Sequence, residues 1–161
     1  MTVELLDTTV LSNFAHVRRP ELLQAILGSH VAVTPGVLAE LRAGEQTGRV
    51  PTCDWGWLTV LTPTAAEVDL AATLLRQLDP GEAECLAVAL TRGGRFLSDD
   101  FAARRLAEAK GLAVSGTIGI LLKGVAMGIL SLAAADALLA EMIVHGYRAP
   151  LHSLRSLGRE R

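Results

Sequence analysis

The sequence is poor in cysteine, has no dominant sign of charge and lacks a long uninterrupted apolar run. Its cysteines, Cys53 and Cys85, lie far apart with no CxxC pair and no neighbouring histidine, which excludes a cysteine zinc site and a disulfide scaffold. A reducing cytoplasm fits them best. The formal net charge is −2 and the pI is about 6.1, which excludes a wholly basic surface. Any contact with nucleic acid therefore depends on a local arrangement of arginines.

Export and membrane signals are also missing. The first ten residues, MTVELLDTTV, carry acids where an export signal would have a basic end followed by an apolar core. The most apolar stretch runs from Leu112 to Leu139, but Lys123 and Asp136 interrupt it and glycines punctuate it. We therefore expect buried helices in this stretch and no membrane partner.

What is present is a chain of 161 residues, half of them apolar and a fifth charged, which suits one well-buried domain. Strands are predicted at residues 3–6, 31–33, 58–61, 95–97 and 112–114. Helices are predicted at residues 9–27 with a break near Arg19-Pro20, and at 34–44, 64–78, 79–90, 101–110, 117–127 and 132–144. This alternation is typical of an α/β fold in which helices cover both faces of a parallel sheet of about four to five strands.

Helix-start signals support these boundaries. Thr34 and Pro35 predict the start of one helix, and Gly44 is expected to end it. Asp79 and Glu82 have the spacing of a capping box, with a proline between them at the first helical position. The tail after Pro150 is amphipathic at best.

Acidic residues follow two of the predicted strands. Asp7 comes after the first strand, and Asp99 and Asp100 come after the fourth. In a parallel sheet these carboxyl ends meet at one rim, which Glu40 and Glu82 can approach from their helices. Clustered carboxylates repel one another unless a cation compensates them, and hard ions such as Mg²⁺ or Mn²⁺ prefer oxygen ligands. The pattern predicts a metal site suited to phosphodiester hydrolysis.

Four motifs in order support a more specific interpretation. They are LLDTTVLSNF, VTPGVLAELRAG, LDPGEAECLAVAL and FLSDDFAARRLAEAKGLAVSGTIGILL. Together they resemble the PIN domain, the fold of VapC-type ribonuclease toxins, and in particular a prokaryotic PIN-like branch once known only as a domain of unknown function. The resemblance covers about residues 3–146 of a single domain, 1–161, and leaves 147–161 as a C-terminal tail.

The resemblance implies a three-layer α/β/α fold with an acidic Mg²⁺ or Mn²⁺ pocket that cuts RNA. Matched position by position, it implies four catalytic acids, namely Asp7, Glu40, Glu82 and Asp99. The implied metal ligands are Asp7, Glu82, Asp99 and Asp100. Thr8, Asn13 and Ser98 are expected to hydrogen-bond the carboxylates or a bound water.

Each acid also has a purely structural interpretation that the sequence leaves open. Asp7 can cap the helix or turn that follows it. Asp100 can be the N-cap of the helix that begins at Phe101, in which case Asp99, and not Asp100, is the metal ligand after the fourth strand. Glu82 occupies the position of a capping-box glutamate. Glu40 lies two residues before Arg42 and can be an ordinary solvated helix acid. Glu84 lies one residue off the ligand pattern and is expected to be solvated or paired.

Arginines and histidines complete the candidate residues. Arg104 and Arg105 follow the aspartate pair by about one helical turn, so one of them can bind a scissile phosphate, although ordinary surface charge is the competing interpretation. The four histidines have neither metal-ligand spacing nor a nucleophile to serve. We therefore treat His16, His30, His145 and His152 as structural or surface residues.

The function predicted from the sequence is a metal-dependent endoribonuclease, the toxin of a type II toxin–antitoxin pair. Its predicted partners are an RNA substrate, a protein antitoxin and a second copy of the chain bound through the apolar helices of residues 112–144. The alternative is a non-catalytic PIN-like module that binds RNA or protein. A phosphoacceptor receiver is disfavoured because receivers carry their acidic pair after the first strand, where only Asp7 stands here.

Overall fold

A computed structural model describes residues 2–159. The sheet has five strands: β1 (Glu4–Leu6), β2 (Val31–Val33), β3 (Thr59–Val60), β4 (Arg95–Leu97) and β5 (Val114–Ser115). Their order is β3-β2-β1-β4-β5, and every neighbouring pair is parallel. Leu5 of the central strand lies opposite Ala32 on one side and Phe96 on the other. The predicted parallel sheet is confirmed.

Eight helices surround this sheet. They are α1 (Thr8–His16), α2 (Glu21–Leu27), α3 (Pro35–Gln46), α4 (Ala65–Leu74), α5 (Pro80–Arg92), α6 (Phe101–Ala109), α7 (Thr117–Ala126) and α8 (Leu132–Val144). Helix α5 packs against β1, α3 and α4, whereas α7 packs against α2 and α8. The result is a three-layer α/β/α fold, as predicted. In the part of the chain from Thr2 to Arg159, no helix is both long and apolar enough to cross a bilayer.

The core lies where the two central strands meet the helices. Leu5 and Leu6 of β1, and Phe96 and Leu97 of β4, are fully buried, as is Leu86 of α5. Near-continuous apolar residues are typical of strands covered on both faces. Because β1 and β4 are central neighbours, the residues that follow them lie side by side at the middle of the carboxyl rim.

Several boundaries differ from those predicted. Helix α3 continues to Gln46, past Gly44, which was expected to end it. Gly44 is instead a packing position, because a Cβ there would lie 3.0 Å from a methyl group of Val50. Strand β5 begins at Val114 and not at residue 112, since the backbone N–H of Leu112 still bonds the Ala107 carbonyl in the turn after α6.

Helix starts follow the capping signals in most cases. Asp79 and Glu82 form the predicted capping box at the start of α5. Thr34 precedes α3, but its hydroxyl makes no capping bond. The Gly36 N–H donates instead to Glu84 Oε1 of α5 at 2.8 Å, so this half-buried acid joins two helices.

The end of the chain packs against α8. A short 3₁₀ helix spans Leu154–Arg159, and Leu154 is buried in the core. Asp136 of α8 accepts the backbone N–H of Leu154 at 2.7 Å and the hydroxyl of Ser153 at 3.3 Å. The tail is therefore an anchored part of the domain up to these residues.

Candidate functional site

Asp7 lies immediately after β1, at the centre of the carboxyl rim. Its backbone N–H donates to the Leu97 carbonyl at 2.9 Å, which fixes it against the end of β4. The side chain is 1% exposed, and Oδ2 accepts hydrogen bonds from Ser98 Oγ at 2.8 Å and Thr9 Oγ1 at 3.0 Å. Oδ1 is buried and has no partner among residues 2–159. A buried carboxylate oxygen without a partner is costly, and a proton, a water molecule or a cation would remove that cost.

Burial raises the pKa of Asp7 to about 6, although its two hydroxyl donors partly oppose the shift. Asp7 occupies the N-cap position of α1, as the capping interpretation predicts, but its side chain makes no capping hydrogen bond. Ser98 binds Asp7 in the supporting role that the resemblance implied for it. Thr9 shares that role, which the sequence analysis did not assign to it.

Glu82 lies on the first turn of α5 and faces the same rim. The structure confirms the capping box: Glu82 accepts the Asp79 N–H at 3.3 Å, and its own N–H donates to Asp79 Oδ1 at 2.9 Å. Burial raises the pKa of Glu82 to about 8, and the charges of Asp7, Asp79 and Asp100 contribute. The capping role and membership of an acidic cluster are therefore compatible.

Glu40 reaches this cluster from α3. Its Oε1 accepts the Gly81 N–H at 2.9 Å, and its Oε2 accepts the Thr8 hydroxyl at 2.9 Å. A Cβ on Gly81 would collide with this carboxylate, so a larger residue there would displace the Glu40 side chain. Burial first, then the charge of Asp79, raises the pKa of Glu40. Glu40 is thus a held side chain and not a freely solvated helix acid.

The two aspartates after β4 differ in their surroundings. Asp100 is the N-cap of α6, where its Oδ1 accepts the Ala103 N–H at 2.9 Å, and its charge is among those that raise the pKa of Glu82. Asp99 accepts from four donors instead. They are the N–H of Thr117 at 2.8 Å, the Thr117 hydroxyl at 2.5 Å, Asn13 Nδ2 at 2.9 Å and the Tyr147 hydroxyl at 3.2 Å.

Four donors fill the hydrogen-bonding capacity of a carboxylate with two oxygens. The Asp99 network joins α1, α7 and the segment after α8, because Asn13, Thr117 and Tyr147 belong to these elements. Asn13 therefore supports Asp99, as expected for a residue that hydrogen-bonds the carboxylates. Nothing in the sequence pattern pointed to Tyr147, which lies 48 positions after Asp99.

The two consecutive arginines on α6, Arg104 and Arg105, contact different groups. Arg104 is half-buried and donates to the Ser98 carbonyl at 3.3 Å. Arg105 is exposed, and its guanidinium carbon lies 5.6 Å from the centre of the Phe101 ring. Arg104 therefore contacts the segment that follows β4, and Arg105 packs against Phe101 at the start of α6.

The acidic residues fit a divalent cation by their chemistry. They offer only oxygen, the set that Mg²⁺ and Mn²⁺ prefer, and they include a buried oxygen without a partner. Burial, with a smaller contribution from neighbouring carboxylates, raises the pKa values of Asp7 and Glu82, and a bound cation would oppose both shifts. Within the described ranges, however, no three His, Cys, Asp or Glu side chains are already arranged to hold an ion. Binding would require side-chain adjustment.

The fold and the rim define an α/β protein whose candidate site lies at the carboxyl ends of parallel strands. The chain belongs to the PIN domain family, because the sequence model of that family matches residues 4–158. The match includes most of the tail as well as the region expected from the sequence. PIN domains are generally nucleases, and they typically use divalent metals. No curated protein matches the chain.

Proposed function

We propose that the protein is a divalent-cation-dependent endoribonuclease that hydrolyses RNA phosphodiester bonds. The observation that carries this proposal is the buried, unpartnered Oδ1 of Asp7 near Glu82, whose pKa is raised by burial and by the charges of Asp7, Asp79 and Asp100. Such a group is costly in a folded protein unless it binds a proton or a cation. Its place at the carboxyl rim of a PIN domain supports a catalytic role.

Asp7, Glu82 and Asp100 are the residues that we propose to hold the cation. Asp99 was also assigned as a ligand and catalytic acid from the resemblance, but its four donors favour a positioning role. In that role it fixes the start of α7 and the segment containing Tyr147. Asp79 adds negative charge near Glu40 and Glu82 while it caps α5.

When bound, Mg²⁺ or Mn²⁺ would supply Lewis acidity and charge compensation for hydrolysis at phosphorus. Ser98 and Thr9 hold the Asp7 carboxylate in one orientation. Thr8 and the Gly81 N–H hold Glu40 in the same way, and its raised pKa suits it to accept a proton from the attacking water. No covalent intermediate is proposed, because the rim offers no activated nucleophile.

The finer assignment is that of a cytoplasmic toxin in a type II toxin–antitoxin pair. Exposed apolar side chains at the junction of α7 and α8, those of Met127, Ile129 and Leu132, support a protein partner. A second copy of the chain or an apolar antitoxin segment would cover them. Sedimentation at several concentrations tests the homodimer, and a monomer at every concentration would contradict it.

Cleavage of a fluorescent single-stranded RNA in Mn²⁺ tests the enzymatic proposal. We expect Asp7→Asn and Asp100→Asn each to lower the single-turnover rate by about 10²–10³-fold, the usual cost of removing one charge-stabilising group. Asp69→Asn, which changes an exposed acid of α4, is the matched control and should cut normally. Undiminished cleavage by both rim variants would contradict the proposal.

The second candidate is a module that binds RNA without cutting it. The observation that favours it is that, between Thr2 and Arg159, no three candidate ligands are arranged around an ion position. Intact RNA after prolonged incubation with Mn²⁺, together with metal-independent binding, would support this alternative over the nuclease.

A further inference from the structure

A cleft of about 480 Å³ opens beside the acidic rim, and the proposed reaction does not use most of its lining. Asp99 and Asp100 line it on the side of the acidic rim. The other lining residues that matter for this argument are the aromatic and basic ones, namely Phe101, Tyr147, Arg148 and the stacked pair His16 and His145. The volume lies in the range usual for small-ligand sites. Aromatic rings beside a phosphodiester-cutting site are suited to the planar parts of a nucleic acid.

Phe101 is the most informative residue of this wall. Its side chain is 73% exposed, although a phenyl ring in water gives up the free energy that burial would provide. It follows Asp100 directly in the chain, so their Cα atoms are about 3.8 Å apart. An exposed aromatic ring therefore belongs to the residue next to Asp100, one of the three residues that we propose to hold the cation.

Phe101 lines this cleft and also a second cleft of about 490 Å³, which contains Arg104 and Arg105. Arg105 lies over the ring with its guanidinium carbon 5.6 Å from the ring centre. This cation–π contact restrains the ring and places positive charge beside it. Arg148 lines both clefts and adds further positive charge.

The far wall of the first cleft is also ordered by hydrogen bonds and stacking. His16 of α1 and His145 after α8 have ring centres 5.2 Å apart and planes 9° apart. Tyr147 donates to Asp99, which links this wall to the acidic rim. The sequence analysis treated these histidines as structural or surface residues, because spacing alone cannot show that the ends of α1 and α8 meet.

We propose that this cleft is a nucleobase subsite, in which an unpaired RNA base adjacent to the scissile phosphate stacks on Phe101. The proposal rests on the proposed ribonuclease function and deepens it by naming the residue that binds a base of the substrate. Bases in an A-form duplex are already stacked and paired, whereas unpaired bases can turn out onto an aromatic side chain. A base must therefore be unpaired to reach Phe101.

Binding without cleavage separates this proposal from the nuclease proposal. Fluorescence anisotropy in EDTA would measure the Kd of a short single-stranded RNA and of an abasic oligonucleotide with the same backbone. We expect tighter binding of the RNA with bases. Phe101→Ala and Phe101→Leu should weaken it about 5- to 150-fold, the range reported for stacking of one base, whereas Phe101→Trp should retain it.

Leu75→Ala is the surface control, because Leu75 is another exposed apolar side chain, 50% exposed, and lines neither cleft. It should bind RNA like the wild type. The Leu variant of Phe101 keeps an apolar side chain and removes only the aromatic face. Equal or absent binding of the base-containing and abasic oligonucleotides, full binding by Phe101→Leu, or preference for duplex RNA would each overturn the subsite. Loss of cleavage in Asp7→Asn would still support the nuclease in those cases.

Discussion

The buried Asp7 carboxylate should make the metal-free protein less stable as the pH rises. Its pKa is raised from 3.8 to about 6 in the folded state, so the folded protein binds the proton more tightly than the unfolded chain. The resulting cost is absent below pH 3.8, grows between that value and about pH 6, and is constant above it. Glu82, with a pKa raised from 4.5 to about 8, extends the loss to higher pH.

The size of this effect follows from the shift. A change of about 2 pKa units corresponds to about 3 kcal/mol at 1.36 kcal/mol per unit. Asp7→Asn removes the charge, and its amide oxygen can still accept the hydroxyls that bind Oδ2. In EDTA at pH 8 the variant should therefore be more stable than the wild type by about 1–3 kcal/mol. At pH 4 the two proteins should be nearly equal.

Urea unfolding of both proteins at pH 4, 6 and 8 would measure these differences, with Asp69→Asn as a control for an exposed acid. Mn²⁺ at about 1,000 times its Kd should reverse the order at pH 8, because a ligand at that concentration stabilises the folded state by about 4.1 kcal/mol. A wild type that is as stable in EDTA at pH 8 as at pH 4, or a variant destabilised at pH 8, would refute the reasoning.

Three further predictions concern the supports of the site. Gly81→Ala should displace the Glu40 carboxylate and lower the cleavage rate by about 10-fold or more, while urea unfolding shows a stability within about 1 kcal/mol of the wild type. A normal cleavage rate in this variant would contradict the catalytic role proposed for Glu40. Asp99→Asn should lower the free energy of unfolding by about 1–3 kcal/mol, because donors lose their acceptor, yet calorimetry should still detect Mn²⁺ binding. Loss of Mn²⁺ binding in a folded variant would indicate that Asp99 is a metal ligand. Glu67, whose pKa is lowered to about 2 chiefly by Arg92, should stabilise the protein above pH 4.5 and lose this effect as the pH falls towards 2. Thermal unfolding of Glu67→Gln should show a weaker decline over that interval, and an unchanged decline would contradict the assignment.

The fold was predictable because the local signals agree with one another. Apolar strands alternate with helices that have capping signals, and Asp79 with Glu82 forms the box that its spacing predicted. Boundaries were less predictable. Gly44 lies inside α3 because Val50 packs against it, and a contact of this kind between a helix and a later loop leaves no local pattern.

The sequence predicted which acids lie near the carboxyl rim, but it did not predict the hydrogen-bond partners of each. The charges of Asp7 and Asp100 help to raise the pKa of Glu82 in the structure. The sequence offered Asp100 as a helix cap, but the meeting of α1, α7 and Tyr147 around Asp99 could not be predicted from it. Such contacts join residues far apart in the chain, so neither periodicity nor spacing reports them.

The central claim is that Asp7 and its neighbouring acids form one cation site. Calorimetric titration with Mn²⁺ of the wild type, Asp7→Asn and Asp69→Asn tests it most directly, after circular dichroism has shown that each variant is folded. The account predicts saturable binding by the wild type and by Asp69→Asn, and its loss in Asp7→Asn. Unchanged binding in Asp7→Asn, or no binding by the wild type, would contradict the account.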